Sequence, residues 1–220
     1  MTSPLTLLST KPLLPSQRES LSAYTVEEMP FIRVGFHQNI AITEKVDCAV
    51  FTSQNAVKAV FNKNKLPTTI LNTTYCVGER TKKLLGSFGV HVEKCCLSAL
   101  ELANLLIEKK DISKVHFFCG NLRRDELPDM LAANEIEIEE IEVYQTELLP
   151  TKLTVKYDGV LFFSPSAVQS YILAGNSKES TVFCIGNTTA TEAVMEFEKV
   201  YVAETPSVES LITLVKENLN

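Results

Sequence analysis

Small and hydroxylated residues follow apolar runs at two pairs of matching places in this chain. Residues 51–57 read FTSQNAV and residues 162–168 read FFSPSAV, with serine at positions 53 and 164. Residues 75–81 read YCVGERT and residues 183–189 read FCIGNTT, with glycine at positions 78 and 186. Each motif is typical of a strand that leads into a helix, whose first N–H groups and partial positive charge attract carboxylates and phosphates. The chemistry that these motifs indicate is the binding of an anion.

A fifth junction of the same kind is GNLR at residues 120–123, which brings a guanidinium close to a strand end. We expect all five junctions at the carboxyl edges of parallel sheets, where α/β proteins bind their ligands. The candidate binding residues are Ser53, Asn55, Gly78, Thr81, Gly120, Arg123, Ser164, Ser166, Gly186 and Thr189.

Each hydroxyl or amide in this set has an alternative role as a simple helix cap, which stabilises a helix by about 1 kcal/mol. Five junctions in two matched sets favour a shared ligand. The matching motifs indicate an internal repeat of two halves, each a domain. The shared ligand should therefore be polyanionic and large enough to touch both domains, because the donors lie in both halves.

The candidate catalytic residue is Tyr144, which lies in a long extended segment at residues 136–146. A phenol at a binding cleft can donate a proton or a hydrogen bond to a reacting group. The alternative is that Tyr144 only packs against its neighbours, as strand tyrosines often do.

Several common catalytic signatures are missing from the sequence. It contains no GxGxxG, GxxxxGK[ST], GxSxG or HExxH motif. The six cysteines form no CxxC pair, and the three histidines show no ligand spacing with them, so we predict no metal site and no cofactor. The cysteines are expected to be buried thiols in a reducing compartment.

Bulk composition excludes some partners. The net charge of −6 argues against nucleic acid, because phosphate binding needs clustered Lys and Arg. No apolar run approaches the roughly 18 residues that span a bilayer, and the N-terminus does not resemble a signal peptide. We therefore expect a cytoplasmic protein without membrane contacts.

Apolar strands alternate with amphipathic helices along the whole chain. We predict strands at residues 5–9, 48–52, 74–77, 90–93, 115–119, 159–163, 181–185 and 199–202, and longer extended segments at 25–36 and 136–146. We predict helices at residues 15–23, 55–62, 80–87, 99–110, 125–133, 167–173, 189–197 and 208–219. The predicted fold is α/β: two flavodoxin-like parallel-sheet domains, internally duplicated, whose two long segments form a two-stranded linker beside a cleft.

In their order and spacing the motifs resemble those of the uroporphyrinogen-III synthase family. The matching blocks are FTSQNAV at residues 51–57, VGERT at 77–81, GNLRRDELPDML at 120–131, VYQT at 143–146, FFSPSAV at 162–168 and IGNTTA at 185–190. The resemblance covers nearly all of the chain.

The resemblance implies a bilobal monomer, with residues 1–33 and 148–220 as one discontinuous domain and residues 34–147 as an inserted domain that includes the linker strands. It implies an enzyme that takes hydroxymethylbilane, a linear tetrapyrrole rich in carboxylates, and closes it to uroporphyrinogen III. Water leaves, the D ring is inverted through a spiro intermediate, and no metal or cofactor takes part.

By position, the resemblance makes Tyr144 the linker tyrosine proposed to assist loss of the hydroxyl. It makes Ser53, Thr81, Ser164 and Thr189 tetrapyrrole-binding residues. One departure is Lys11, since the family usually has Thr-Arg-Pro where this chain has Thr-Lys-Pro; lysine keeps the charge but not the bidentate geometry of arginine.

Two other functions stay open at the level of sequence. One is a non-catalytic tetrapyrrole-binding regulatory domain of the same fold. The other is a two-lobed binding protein for a different small anion. Both would bind a ligand without forming the type III ring, which separates them from the enzyme.

Overall fold

Two parallel sheets with helices packed against them give the protein a mixed α/β fold. The computed structural model describes residues 4–38, 40, 42 and 44–219. By internal contacts the chain divides into two compact units: unit 1 comprises Met1–Arg33 and Glu147–Asn220, and unit 2 comprises Val34–Thr146. The chain passes from unit 1 into unit 2 and back again, as an insertion requires.

The strands form two sheets. They are β1 (Thr6–Ser9), β2 (Thr25–Glu28), β3 (Ile32–Phe36), β4 (Val46–Phe51), β5 (Leu71–Val77), β6 (Lys94–Cys96), β7 (Lys114–Gly120), β8 (Glu137–Leu148), β9 (Gly159–Phe162), β10 (Thr181–Cys184) and β11 (Val200–Val202). One sheet has the order β11-β10-β9-β1-β2 and the other the order β3-β8-β7-β4-β5-β6. Pairing is parallel throughout the first sheet and from β8 to β6 in the second.

The helices connect these strands. They are α1 (Pro15–Glu19), α2 (Gln54–Val57), α3 (Glu79–Ser87), α4 (Ala99–Glu108), α5 (Glu126–Ala133), α6 (Pro165–Leu173), α7 (Asn187–Ala193) and α8 (Val208–Asn218). A π-helical segment, Lys58–Lys63, continues α2, and a 3₁₀ turn, Thr68–Ile70, precedes β5.

Each sheet is covered on both faces. Neighbouring residues on a strand point to opposite sides and so contribute to different cores. In unit 1, Leu8 packs with Phe162 and Tyr171 on one face, and Leu7 packs against α8 on the other. In unit 2, Phe51 belongs to the core on one face and Val50 to the core on the other. This two-sided burial explains why the central strands read as continuous apolar runs.

The prediction of a strand at residues 90–93 is wrong. The N–H of Val90 donates to the carbonyl of Leu85 at 3.1 Å and so closes α3 instead of joining a sheet. Gly89 has a φ of 80°, which turns the chain away from the helix. Pairing with β5 begins only at Lys94.

The extended segment predicted at residues 25–36 is two strands in two different sheets. β2 ends before Pro30, and β3 begins after the fully buried Phe31. Proline has no N–H to continue a ladder, so the chain leaves one sheet there. The predicted helices at residues 15–23, 55–62 and 189–197 differ most from the observed ones. α1 ends at Glu19, α2 is α-helical only to Val57 before its π-helical continuation, and α7 begins two residues earlier than predicted and ends at Ala193.

Asp158 holds β1 and β9, two adjacent strands of unit 1, together by hydrogen bonds. One of its carboxylate oxygens accepts from the N–H of Thr6 at 2.7 Å and from the hydroxyl of Thr6 at 2.8 Å. The N–H of Asp158 in turn donates to the carbonyl of Thr6 at 3.0 Å. The donated backbone and hydroxyl hydrogen bonds lower the pKa of Asp158. The start of β1 is thereby held against the start of β9.

We predict that Asp158→Asn lowers the free energy of unfolding by about 1 kcal/mol at pH 7, a figure reduced for the exposure of the carboxylate. Because the folded-state pKa lies below the unfolded value, the carboxylate stabilises the fold above about pH 4 and loses that effect as pH falls through the folded pKa. Urea unfolding of both proteins should therefore converge in acid. Asp47→Asn, at an exposed position on β4, is the control, and an equal loss at every pH would contradict the assignment.

Candidate active site

Three adjacent strands of unit 2 end in the predicted site residues. In the order β7-β4-β5, the carboxyl ends carry Gly120, Ser53 and Gly78. Parallel strands present these ends at one edge of the sheet. In unit 1 the adjacent strands β9 and β10 end in Ser164 and Gly186 in the same way.

Ser53 is the N-cap of α2. Its backbone is extended, with φ −142° and ψ 137°, and its hydroxyl oxygen accepts from the N–H of Asn55 at 3.1 Å. Ser53 and Asn55 are both partly exposed. The cap therefore uses one lone pair of the serine and leaves its hydrogen for another partner.

Tyr144 lies on β8 and contacts Ser53 directly. Its hydroxyl donates to the Ser53 hydroxyl oxygen at 3.2 Å, and its ring packs against the core that contains Phe51. Burial raises the pKa of Tyr144, and the hydrogen bond to Ser53 opposes this shift only in part. The phenol consequently stays protonated at neutral pH and is able to donate.

Gly120 makes room for the ring of Tyr144. A Cβ built on Gly120 would lie 2.4 Å from Cζ of Tyr144, far inside contact distance. The register between β7 and β8 is irregular here: Cys119 pairs with Glu142, and Gly120 pairs with Tyr144. Such an irregularity redirects a side chain. The absent side chain of Gly120 thus determines where the tyrosine lies.

Asn121 holds β8 just beyond the tyrosine, a role that the sequence analysis did not assign. Its side-chain oxygen accepts from the N–H of Thr146 at 2.7 Å, and its amide donates to the carbonyl of Thr146 at 3.2 Å. Its own N–H donates to the carbonyl of Tyr144 at 3.3 Å. The GN pair in the sequence was the available signal, because asparagine often bonds to backbone near a strand end.

Arg123 is occupied by neighbouring carboxylates. Its guanidinium bonds Glu140 through two nitrogens, one of them at 2.8 Å, and also bonds Asp125. These hydrogen bonds to Glu140 and Asp125 raise the pKa of Arg123. A ligand carboxylate at this place would compete with two carboxylates of the protein itself.

Gly78 and Gly186 begin α3 and α7 with the same pattern of burial. After each glycine come two residues that are not buried, Glu79 and Arg80 in one copy and Asn187 and Thr188 in the other. The threonines that follow are buried: Thr81 is 5% exposed and Thr189 is 1% exposed. The residues exposed to solvent at these helix starts are therefore the two that precede each threonine.

Ser164 caps α6 as Ser53 caps α2. Its hydroxyl oxygen accepts from the N–H of Ala167 at 3.2 Å and lies 3.1 Å from the hydroxyl of Ser166. Both serines are partly exposed. Beside them, the ammonium of Lys11 lies 4.4 Å from the centroid of the Phe163 ring, so the lysine that departs from the family pattern is at the carboxyl edge of this sheet too.

Between residues 4 and 219, leaving out 39, 41 and 43, no helix is both long and apolar enough to cross a membrane. Over the same residues, no group of three or more His, Cys, Asp or Glu side chains is arranged to hold a metal ion.

Comparison with known proteins places this chain in a family. Residues 17–213 match the family model described as uroporphyrinogen-III synthase HemD. The uroporphyrinogen-III synthetase structure from Helicobacter pylori superposes with a TM-score of 0.67 at 21% identity, covering 97% of this chain and 99% of that chain. A mutant uroporphyrinogen III synthase from the extremely thermophilic bacterium Thermus thermophilus superposes with a TM-score of 0.73 at 13% identity, covering 97% of this chain and 98% of that chain. No curated protein sequence gives a significant match.

The two structures share the fold of this chain, and the family model establishes the relationship in sequence. Because that match runs from residue 17 to residue 213, the chain belongs to the uroporphyrinogen-III synthase family, whose members are cofactor-independent lyases that act on hydroxymethylbilane to give uroporphyrinogen III.

Proposed function

We propose that this chain carries out its family's reaction with Tyr144 as the group that assists departure of the terminal hydroxyl. The observation that carries the assignment is the hydrogen bond from Tyr144 to Ser53, at the edge of the sheet where the helices of unit 2 begin. A proton donor would assist loss of the hydroxyl as water, and a phenol with a raised pKa is protonated at neutral pH.

Ser53 gives Tyr144 a second hydrogen-bonding state. In the structure the phenol donates to the serine oxygen, which also accepts from the N–H of Asn55. When the phenol turns its hydrogen toward the leaving oxygen, the serine hydroxyl is able to rotate and donate back to the phenol oxygen. That reversal would offset the negative charge that develops on Tyr144 as its proton moves.

The substrate carboxylates are proposed to bind at the helix starts of both units. Backbone N–H groups next to Gly78 and Gly186, together with the hydroxyls of Ser164 and Ser166, supply donors without surplus positive charge. Thr81 and Thr189, being buried, would act by fixing the first turn of each helix instead of touching the ligand. Binding would chiefly hold the chain of pyrroles in the conformation that inverts the last ring.

We also propose that the two units are the two domains predicted from sequence, residues 1–33 with 148–220 and residues 34–147, and that they are duplicated flavodoxin-like folds. The strand orders support this: β2-β1-β9-β10-β11 in one sheet corresponds to β8-β7-β4-β5-β6 in the other. The burial pattern of residues 51–60 also repeats residue for residue at 162–171. β3 and β8, which run across the unit boundaries, would be the linker strands.

A monomer is proposed as the assembly, as the family resemblance implies. The non-catalytic regulatory alternative gains nothing from the described residues.

The direct test is to incubate the protein with hydroxymethylbilane and separate the isomers after oxidation. We predict mainly the type III isomer, because a bound chain is closed with the last ring inverted. A sample without protein gives the spontaneous type I isomer as the baseline. Only type I product in the presence of a folded protein would refute the proposed function.

We predict that Tyr144→Phe lowers kcat by about 100-fold, near the lower end of the range for general acid catalysis, because the hydroxyl leaves readily without help. Tyr75→Phe is the matched control: Tyr75 is a buried tyrosine in the same sheet whose hydroxyl faces Lys109. The wild-type rate should show no loss from ionisation of Tyr144 below about pH 10, given its raised pKa. A Tyr144→Phe variant with full turnover would remove the tyrosine from the mechanism.

Gly120→Ala should reduce kcat toward the level of Tyr144→Phe, because the new methyl group displaces the tyrosine ring from Ser53. Overpacking of this kind also costs about 1–3 kcal/mol of stability, so circular dichroism should confirm that the assayed protein is folded. Gly86→Ala is the control, since no atom lies within 4 Å of a Cβ built there. Unchanged turnover in folded Gly120→Ala would show that the ring position does not matter.

A further inference from the structure

Two cysteines of unit 2 lie side by side on neighbouring strands. Cys76 on β5 and Cys95 on β6 are register partners in the parallel ladder. Paired strands are about 4.8 Å apart, which is inside the Cα separation of roughly 4.4–6.8 Å that a disulfide spans. The backbone therefore already brings the two residues within bonding reach.

The two thiols also share one face of the sheet. Both side chains pack on the hydrophobic core that contains Phe51 and Phe118. Cys96, the next residue along β6, belongs to the core on the opposite face. Cys76 thus has Cys95 as its neighbouring thiol, and the side chain of Cys96 points away from both.

The thiols differ in their access to solvent. Cys76 is fully buried and Cys95 is partly exposed. Burial raises the pKa of Cys76 to about 12, and its contact and hydrogen bond with Cys95 add to the shift. An oxidant in solution consequently reaches Cys95 first, while Cys76 remains a buried, protonated thiol.

We propose that Cys76 and Cys95 are an oxidisable dithiol, a modification site at which a hydroperoxide drives reversible formation of an intramolecular disulfide. Cys95 first releases its proton, and its thiolate sulfur attacks hydrogen peroxide: the O–O bond breaks and an S–O bond forms, which leaves a sulfenic acid on Cys95. The hydroxide that departs takes up the proton released by Cys95 and becomes one molecule of water. The sulfur of Cys76 then attacks the sulfur of Cys95. The S–O bond breaks, the S–S bond forms, and the hydroxide departs with the Cys76 proton as a second water.

The cross-link would lie next to the strand–helix junction at Gly78. Cys76 is two residues before Gly78, whose N–H donates to the carbonyl of Cys96 at 2.9 Å. A bond between β5 and β6 at this level ties together the two strands that support the start of α3. Because Cys95 stays accessible from solvent, a small thiol is able to reduce the bond again.

The test is mass spectrometry of the full chain after treatment with hydrogen peroxide and blocking of free thiols. Trypsin cleaves after Arg80 and Lys94, which puts Cys76 and Cys95 on separate peptides. We expect these peptides joined by a disulfide in the monomeric chain, and separated again after dithiothreitol. No cross-link after peroxide treatment, or one that links two chains, would overturn the proposal.

Variants identify the partner thiols. Cys76→Ala should abolish the cross-link and leave a sulfenic acid on Cys95 that dimedone traps. Cys96→Ala is the matched control, because it removes a buried thiol next to Cys95 in the chain and should leave the cross-link intact. Loss of the cross-link in folded Cys96→Ala, or direct conversion of wild-type Cys95 to sulfinic acid, would contradict the assignment.

Discussion

The contact between the bare Cα of Gly120 and the ring of Tyr144 is the constraint on which the candidate site depends. β7 and β8 approach each other without an intervening side chain, so the aromatic ring fills the space that a Cβ would take. The shift in register after Cys119 turns the tyrosine onto this glycine, and Asn121 keeps the following strand residues in place. The phenol then reaches the hydroxyl that caps α2. The irregular pairing of β7 with β8 and the N-cap of α2 therefore fix the position of the phenol together.

The strand ends give the rest of the site its chemistry. Parallel strands deliver helix starts to one edge, and each helix start offers N–H groups that attract carboxylates. Such N–H donors matter in an acidic chain where cations are paired with its own carboxylates. Arg123, for example, is bonded to Glu140 and Asp125. Lys11 stands at the corresponding edge of the other sheet, where its ammonium lies over an aromatic ring.

Much of the fold was predictable because the signals are local. Apolar runs marked the central strands, and serine or glycine at their ends marked where helices begin. The errors arose where the chain turns: the N–H of Val90 bonds back to Leu85 and closes a helix instead of joining a strand, and Pro30 divides one extended run between two sheets. Nothing in the sequence indicated that the side chains of Thr81 and Thr189 are buried, since a threonine in the first turn of a helix gives the same sequence pattern whether it is buried or exposed. The bulge that aims Tyr144 depends on pairing between distant segments and has no sequence signature of its own.

The two glycines that open α3 and α7 differ in backbone conformation. Gly78 has a φ of 84°, a region that side chains strongly disfavour, whereas Gly186 is extended, with a φ of 179°. A Cβ at position 186 would meet only Pro206, at an ordinary 3.6 Å. The fold would therefore tolerate a side chain at position 186, whereas a side chain at position 78 would strain the backbone. In homologues the internal repeat would then be lost unevenly from the sequence, while the two halves kept similar backbone conformations.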